Sequence, residues 1–152
     1  MNDRDIVFMT KALELARQAA EDGETPVGAV IVKGDEVVGV GRNRRENGKN
    51  ALYHAEIEAI DNACKKLGGW RLFECEMYVT LEPCPMCAGA IINSRLKRVV
   101  YGASDFKGGA CGSLFNMFDY PFNHKPLLEI GVMSQECSDV LKDFFQNLRK
   151  NK

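Results

Sequence analysis

The chain has 152 residues, 45% hydrophobic and 27% charged, the make-up of a soluble globular protein with one domain, 1–152, around its own core. Twenty basic residues against 21 acidic ones leave a formal charge of −1, which argues against a general nucleic-acid coat but leaves room for a compact basic site. No uncharged apolar run is long enough to span a bilayer, and the polar start Met1-Asn2-Asp3-Arg4-Asp5 lacks the order of a signal peptide. The expectation is a cytoplasmic protein with no membrane partner.

Residues 3–22 read as an amphipathic helix, with Ile6, Met9, Leu13, Ala16 and Ala20 at three- and four-residue steps and Gly23 as its stop. Val27–Val32 is almost wholly apolar, as expected of a strand buried on both faces. Lys33-Gly34-Asp35 turns the chain and Val37–Val40 returns, which predicts a hairpin. After the polar loop 44–50, a helix starts near His54, with Ile57, Ile60, Cys64 and Leu67 at helical spacing and Gly68-Gly69 at its end. Met77–Leu81 is a third strand running into Glu82-Pro83-Cys84, and a helix follows with Cys84, Cys87 and Ile91 on one side. Val99–Tyr101 and Leu127–Val132 read as the fourth and fifth strands. Residues 138–149 close the chain as a helix whose apolar set is Val140, Leu141, Phe144, Phe145 and Leu148. A hairpin followed by alternating helices and strands implies a mixed sheet covered on both faces.

The chemistry concentrates in His54-Ala55-Glu56 and Pro83-Cys84-Pro85-Met86-Cys87. One imidazole and two thiolates are the three protein ligands of a catalytic zinc site, whose fourth position stays open for water. Glu56 stands two residues from the ligating His54 and is suited to moving protons. His-x-Glu followed by Pro-Cys-x-x-Cys is the signature of zinc-dependent nucleobase deaminases. Both segments fall at helix starts, where the prolines cost no hydrogen bond and the partial positive charge favours thiolate. The alternative is a closed structural site, with Cys64, Cys75, Cys111, Cys137 or His124 as fourth ligand. Without secretion signals, the four other cysteines read as small buried hydrophobes.

Outside the motif several residues admit two readings. Asn43, after the second strand, is a turn former or an amide that reads a base edge. His124 is a surface group or a functional one. Arg42, Arg44, Arg45 and Lys49, and again Lys142, Arg149, Lys150 and Lys152, are solvated charge or parts of an RNA surface. Phe144-Phe145 is most simply core packing.

On these residues the chain is similar to the bacterial tRNA-specific adenosine deaminases, the TadA family. The resemblance runs from about Phe8 to Arg149 and includes Pro26-Val27-Gly28-Ala29-Val30, Gly69-Trp70-Arg71-Leu72 and the run Tyr78–Ile91. It continues through Tyr101-Gly102-Ala103, Lys107-Gly108-Gly109, Gly112-Ser113-Leu114, Phe122-Asn123-His124 and Asp143-Phe144-Phe145. The later segments point to the tRNA branch rather than to free-base enzymes. The resemblance implies an α/β fold, a three-layer αβα sandwich on a five-stranded mixed sheet, in a homodimer with one zinc (Zn2+) per subunit. It implies hydrolytic deamination of the wobble adenosine of a tRNA anticodon loop to inosine. His54, Cys84 and Cys87 would hold zinc, Glu56 would shuttle protons, and Asn43 and the Ala55 N–H would hold the flipped base. Asp105, Lys107, Asn123, His124 and Arg149 would line the groove for neighbouring nucleotides. Leu52-Tyr53 and Ala110-Cys111 depart from the family pattern near the expected rim. Two other readings are a free guanine or cytosine deaminase and a non-catalytic zinc-stabilised RNA-binding module.

Overall fold

The computed structural model describes residues 2–151, so Lys152 of the C-terminal basic cluster lies outside the described residues. In chain order the elements are α1 (Asp3–Glu21), β1 (Gly28–Lys33), β2 (Glu36–Arg42), α2 (Ala55–Leu67), β3 (Cys75–Leu81), α3 (Pro85–Asn93), β4 (Arg98–Ala103), a 3-10 turn (Met117–Asp119), β5 (Leu127–Ile130) and α4 (Ser134–Lys150). The strands form one sheet in the order β2-β1-β3-β4-β5. Strand β1 is antiparallel to both β2 and β3, whereas β3, β4 and β5 run parallel. No helix of the described residues is long and apolar enough to cross a membrane.

The apolar strands are explained by two cores, one on each face. Ala29 and Ile31 of β1, Met77 and Val79 of β3, and Val99 and Tyr101 of β4 pack with α2 and α3. The alternating residues Val30, Val32, Tyr78 and Val100 pack with α1 and the start of α4. Successive side chains of a strand point to opposite faces, so a strand covered on both sides must be apolar throughout. The result is a three-layer αβα sandwich around a five-stranded mixed sheet, as the resemblance implied.

Three helix faces differ from the sequence expectation. In α1 the buried set is Phe8, Met9, Ala12, Leu13, Ala16 and Ala19, while Ile6 is exposed. In α2 the buried set is Ala55, Glu56, Ala59 and Ala63, with Ile57, Ile60 and Cys64 only half-buried and Leu67 exposed. The reason lies on β2: a Cβ at Gly39 would sit 2.4 Å from the Ala59 carbonyl oxygen, and one at Gly41 2.2 Å from that of Ala55. Two glycines let the helix backbone approach the sheet, and only alanines fit the seam. In α4, Cys137 alone is buried; Val140, Leu141 and Phe144 are half-buried, and Phe145 and Leu148 are exposed. The core role expected for Phe144-Phe145 therefore does not hold, because α4 docks by its first turns and little of its length is covered.

At the start of the parallel strands a closed ionic network ties α1 to the sheet. Arg98 donates to both oxygens of buried Asp5, at 3.0 and 2.8 Å, and to Glu76 at 2.8 Å. The Tyr78 hydroxyl donates to Asp5 at 2.7 Å, and Arg4 donates to Tyr78 Oη and Glu76.

Candidate active site

The opposite end of the sheet gathers the motif residues. His54 is the residue before α2, Cys84 the residue before α3, and Cys87 lies in the first turn of α3. Neither His54 nor Cys84 spends its side chain on capping its helix, so both turn to a common point. His54 Nδ1 lies 3.7 Å from Cys84 Sγ and 3.5 Å from Cys87 Sγ. All three ligand atoms lie within 4.8 Å of one another, close enough to share one metal ion. Among the described residues no fourth acidic, histidine or cysteine ligand joins them. Cys75, Cys111 and Cys137 are buried, Cys64 is half-buried, and His124 Nε2 lies 2.7 Å from the Leu96 carbonyl oxygen. The closed-site reading thus lacks its fourth ligand.

The electrostatics of the cluster are those of crowded acids. A hydrogen bond with Cys87 is the main cause that lowers the Cys84 thiol to about 4 against the effect of burial, with His54 adding to it. The same contact, with burial, raises Cys87. Glu56, only 4% exposed, is pushed up to about 7 by burial, which outweighs the hydrogen bond from its own backbone N–H. Two thiols here hold one negative charge more readily than two, a conflict that a bound cation removes.

The cluster opens on a cleft of about 170 Å³ whose walls include Thr25, Val27, Asn43, Arg45, Ala55, Glu56, Glu82 and Asp105. Asn43 is held on both sides of its amide: Nδ2 donates to the Thr25 carbonyl at 3.2 Å, and Oδ1 accepts the Arg45 N–H at 3.1 Å. The loop beyond it is pinned by buried Glu24, which accepts the N–H groups of Glu46 and Asn47 at 3.0 and 2.7 Å. Arg42 pairs with Asp22 and Arg44 with Glu58, so of that basic cluster Arg45 is the one that faces the cleft.

The structure thus brings together His54, Ala55, Glu56, Cys84, Asn43 and Asp105 at one cleft, with Cys87 beside His54 and Cys84. Lys107 is exposed on the same loop as Asp105. Asn123 and His124 are not gathered there. They precede β5, whose first residue Leu127 pairs with Arg98 at the start of β4. That places them about 16 Å from the cleft end, the length of a six-residue strand. Arg149 lies exposed in the last turn of α4. Ala110 and Cys111, expected near the rim, are fully buried, whereas Leu52 and Tyr53 are exposed. Sequence reasoning gave no role to Glu82, Thr25 or Arg45 at this cleft. A carboxylate closing an apolar strand was the one available signal for Glu82.

A model of the MafB19-like deaminase family matches residues 2–149. Over 150 residues the chain is 47% identical to the tRNA-specific adenosine deaminase of Bacillus subtilis, covering 98% of this chain and 93% of that one. It is 48% identical to that of Haemophilus influenzae, covering 97% and 87%. The chain belongs to the tRNA-specific adenosine deaminase family. A solved structure from work on A-to-I editing by tRNA:A34 deaminases superposes with a TM-score of 0.86 at 43% identity, covering 88% of this deaminase chain and 98% of the other. The enzyme class, a deaminase, follows from the family.

Proposed function

We propose that this chain deaminates the wobble adenosine of a tRNA anticodon loop to inosine, with zinc at His54, Cys84 and Cys87 and with Glu56 as proton carrier. The observation that carries the reading is the His-Cys-Cys cluster beside a buried carboxylate, in a chain nearly half identical to named tRNA adenosine deaminases.

Zinc fits the donor set. Ligand distances of about 2.0–2.1 Å for nitrogen and about 2.3 Å for sulfur put tetrahedral corners about 3.6 Å apart; the two His54–Cys separations are 3.5 and 3.7 Å. Bound there, the ion supplies the Lewis acidity that makes water a nucleophile near neutral pH. Glu56 takes the proton that the attacking water gives up and passes it to the ring nitrogen next to the reacting carbon. Glu56 then takes the proton of the hydroxyl added to that carbon and gives it to the amino group as the C–N bond breaks, so that ammonia leaves and the oxygen stays on the base as a carbonyl. Asn43 is oriented in advance and keeps one amide hydrogen and one lone pair free for a base edge. The Ala55 N–H, at the first position of α2, has no partner within its helix and supplies a second donor.

A cleft of this size suits a single base drawn out of its strand, and anticodon loops offer unstacked bases at low cost. Arg45 at the cleft and exposed Lys107 supply positive charge for phosphates, which reconciles an RNA substrate with a near-zero net charge. Asn123 and His124 lie a strand's length from their own cleft, so a role for them at a site requires a second copy, which a homodimer supplies. Arg149 on the exposed end of α4 is assigned to the RNA surface. A tRNA substrate supports a cytoplasmic location.

The test is inosine formation in an anticodon stem-loop RNA carrying adenosine at the wobble position, beside free guanine, cytosine, adenine and their nucleosides. Inosine from the RNA alone is expected, with metal analysis giving one zinc per chain. Ammonia from a free base with inert RNA would move the enzyme to nucleobase salvage chemistry.

A further inference from the structure

One buried carboxylate beside the cleft takes no part in that chemistry. Glu82 is 2% exposed, and both its oxygens are committed to the loop that follows β4. Oε1 accepts the Asp105 N–H at 3.0 Å and the Ser113 hydroxyl; Oε2 accepts the N–H groups of Cys111 and Ser113, each at 3.0 Å. The loop approaches so closely that a Cβ at Gly109 would lie 2.3 Å from the Glu82 carboxylate. Asp105, held by its N–H, lines the cleft. Its own Oδ1 accepts the N–H groups of Lys107 and Gly108 at 3.1 Å each, so the chain of contacts runs from Glu82 through Asp105 to the cation beyond it.

We propose that Glu82 is a positioning residue for the RNA: it holds the 105–113 loop in one shape, so that Asp105 and Lys107 meet the nucleotides flanking the reacting base. This rests on the tRNA reading. The loop offers Glu82 three N–H groups and a hydroxyl, all as donors, and a carboxylate is the side chain that accepts four such bonds at once. An amide of the same shape must set its NH2 group against at least one of those N–H groups. A loop ordered in the free enzyme spends less conformational entropy on binding than a loose one. Glu82 therefore acts on substrate capture, and the chemical step stays with Glu56.

The experiment compares wild type, Glu82→Gln and Ser113→Ala for KM and kcat on the anticodon stem-loop, for zinc content, and for backbone hydrogen exchange over residues 105–113. Glu82→Gln is expected to raise KM at least ~10-fold, to change kcat less than ~3-fold, to keep its zinc and to speed exchange in the loop. Ser113→Ala, which loses one of the four bonds, moves KM and exchange the same way by less. Unchanged KM and exchange in Glu82→Gln overturn the proposal. So does a fall in kcat equal to the fall in kcat/KM with loop exchange unaltered. If Glu82→Gln loses zinc or fails to fold, Ser113→Ala decides, and wild-type KM in that variant overturns it. Wild type inert on the stem-loop would sink the tRNA reading and the RNA role of the loop together, whereas exchange would still report separately whether Glu82 holds the loop.

Discussion

Two buried carboxylates line one cleft, Glu56 on α2 and Glu82 beneath the 105–113 loop, and their surroundings drive their acidities apart. Burial raises both. For Glu56 it prevails and, with the negative charge of Cys84, carries the carboxyl to about 7. For Glu82 burial is overcome by bonds from the Ser113 hydroxyl and the N–H groups of Asp105, Ser113 and Cys111, which together hold it below its ordinary value. Both side chains are nearly hidden from solvent, yet burial governs Glu56 whereas the donors around Glu82 govern it. A carboxyl balanced near neutrality can take and return a proton; one held ionised by four donors serves as an anchor.

Glu56→Gln is the sharpest way to break this contrast, since it keeps the shape and removes the proton carrier. It is expected to retain zinc and to lower kcat by about 10²–10⁴, read as inosine formed per minute from the stem-loop. Near-normal turnover would remove Glu56 from the mechanism.

A third buried carboxylate, Asp5, extends the comparison to the far end of the strands, where the neutralising partner is a cation. Arg98 beside it holds its carboxyl below the ordinary value of 3.8, against burial. The native state thus binds this proton less tightly than the unfolded chain. The stabilisation is full above about pH 4 and is lost as pH falls further. Asp5→Ala strands part of the Arg98 charge and the Tyr78 hydroxyl, at a cost of about 3 kcal/mol near pH 7. Urea unfolding from pH 7 to pH 3 checks it, with the gap to wild type closing at the acid end. A gap constant with pH would contradict the assignment.

Smaller effects come from geometry alone. Gly41→Ala places a methyl 2.2 Å from the Ala55 carbonyl oxygen and must push α2, and His54 with it, off β2. A loss of about 1–3 kcal/mol is expected, with weaker zinc retention under chelator challenge; unaltered stability would mean that the seam is looser than the distance implies. Arg45→Ala leaves all three carboxylates in place. It is expected to weaken stem-loop binding modestly and to lower the slope of log affinity against log salt by about 1, and an unchanged slope would return Arg45 to solvated surface charge.

How far the sequence could be read depended on whether the signal was local. Helix starts at His54 and Cys84, the hairpin at Lys33-Gly34-Asp35 and the doubly buried strands were legible because caps, turns and strand alternation are written in neighbouring residues. Helix faces were less so: the larger side chains Ile57, Ile60 and Cys64 pointed to one side of α2, whereas Gly39 and Gly41 on another element select the alanine side. Glu82, Thr25 and Arg45 were not recognised as cleft residues because their role arises where segments distant in sequence meet.

The amino-acid order by itself determined the layered α/β class and singled out His54, Cys84, Cys87 and Glu56 as the residues on which the proposed chemistry rests, since each follows from residue type and spacing. Only the tertiary structure decided that Glu82 anchors the loop carrying Asp105, that Arg45 rather than Arg42 or Arg44 faces the cleft, and that Asn123 and His124 sit at the far end of β4. Those outcomes depend on which backbone donors, carboxylates and strand ends come within a few ångströms of one another, and no local pattern encodes that.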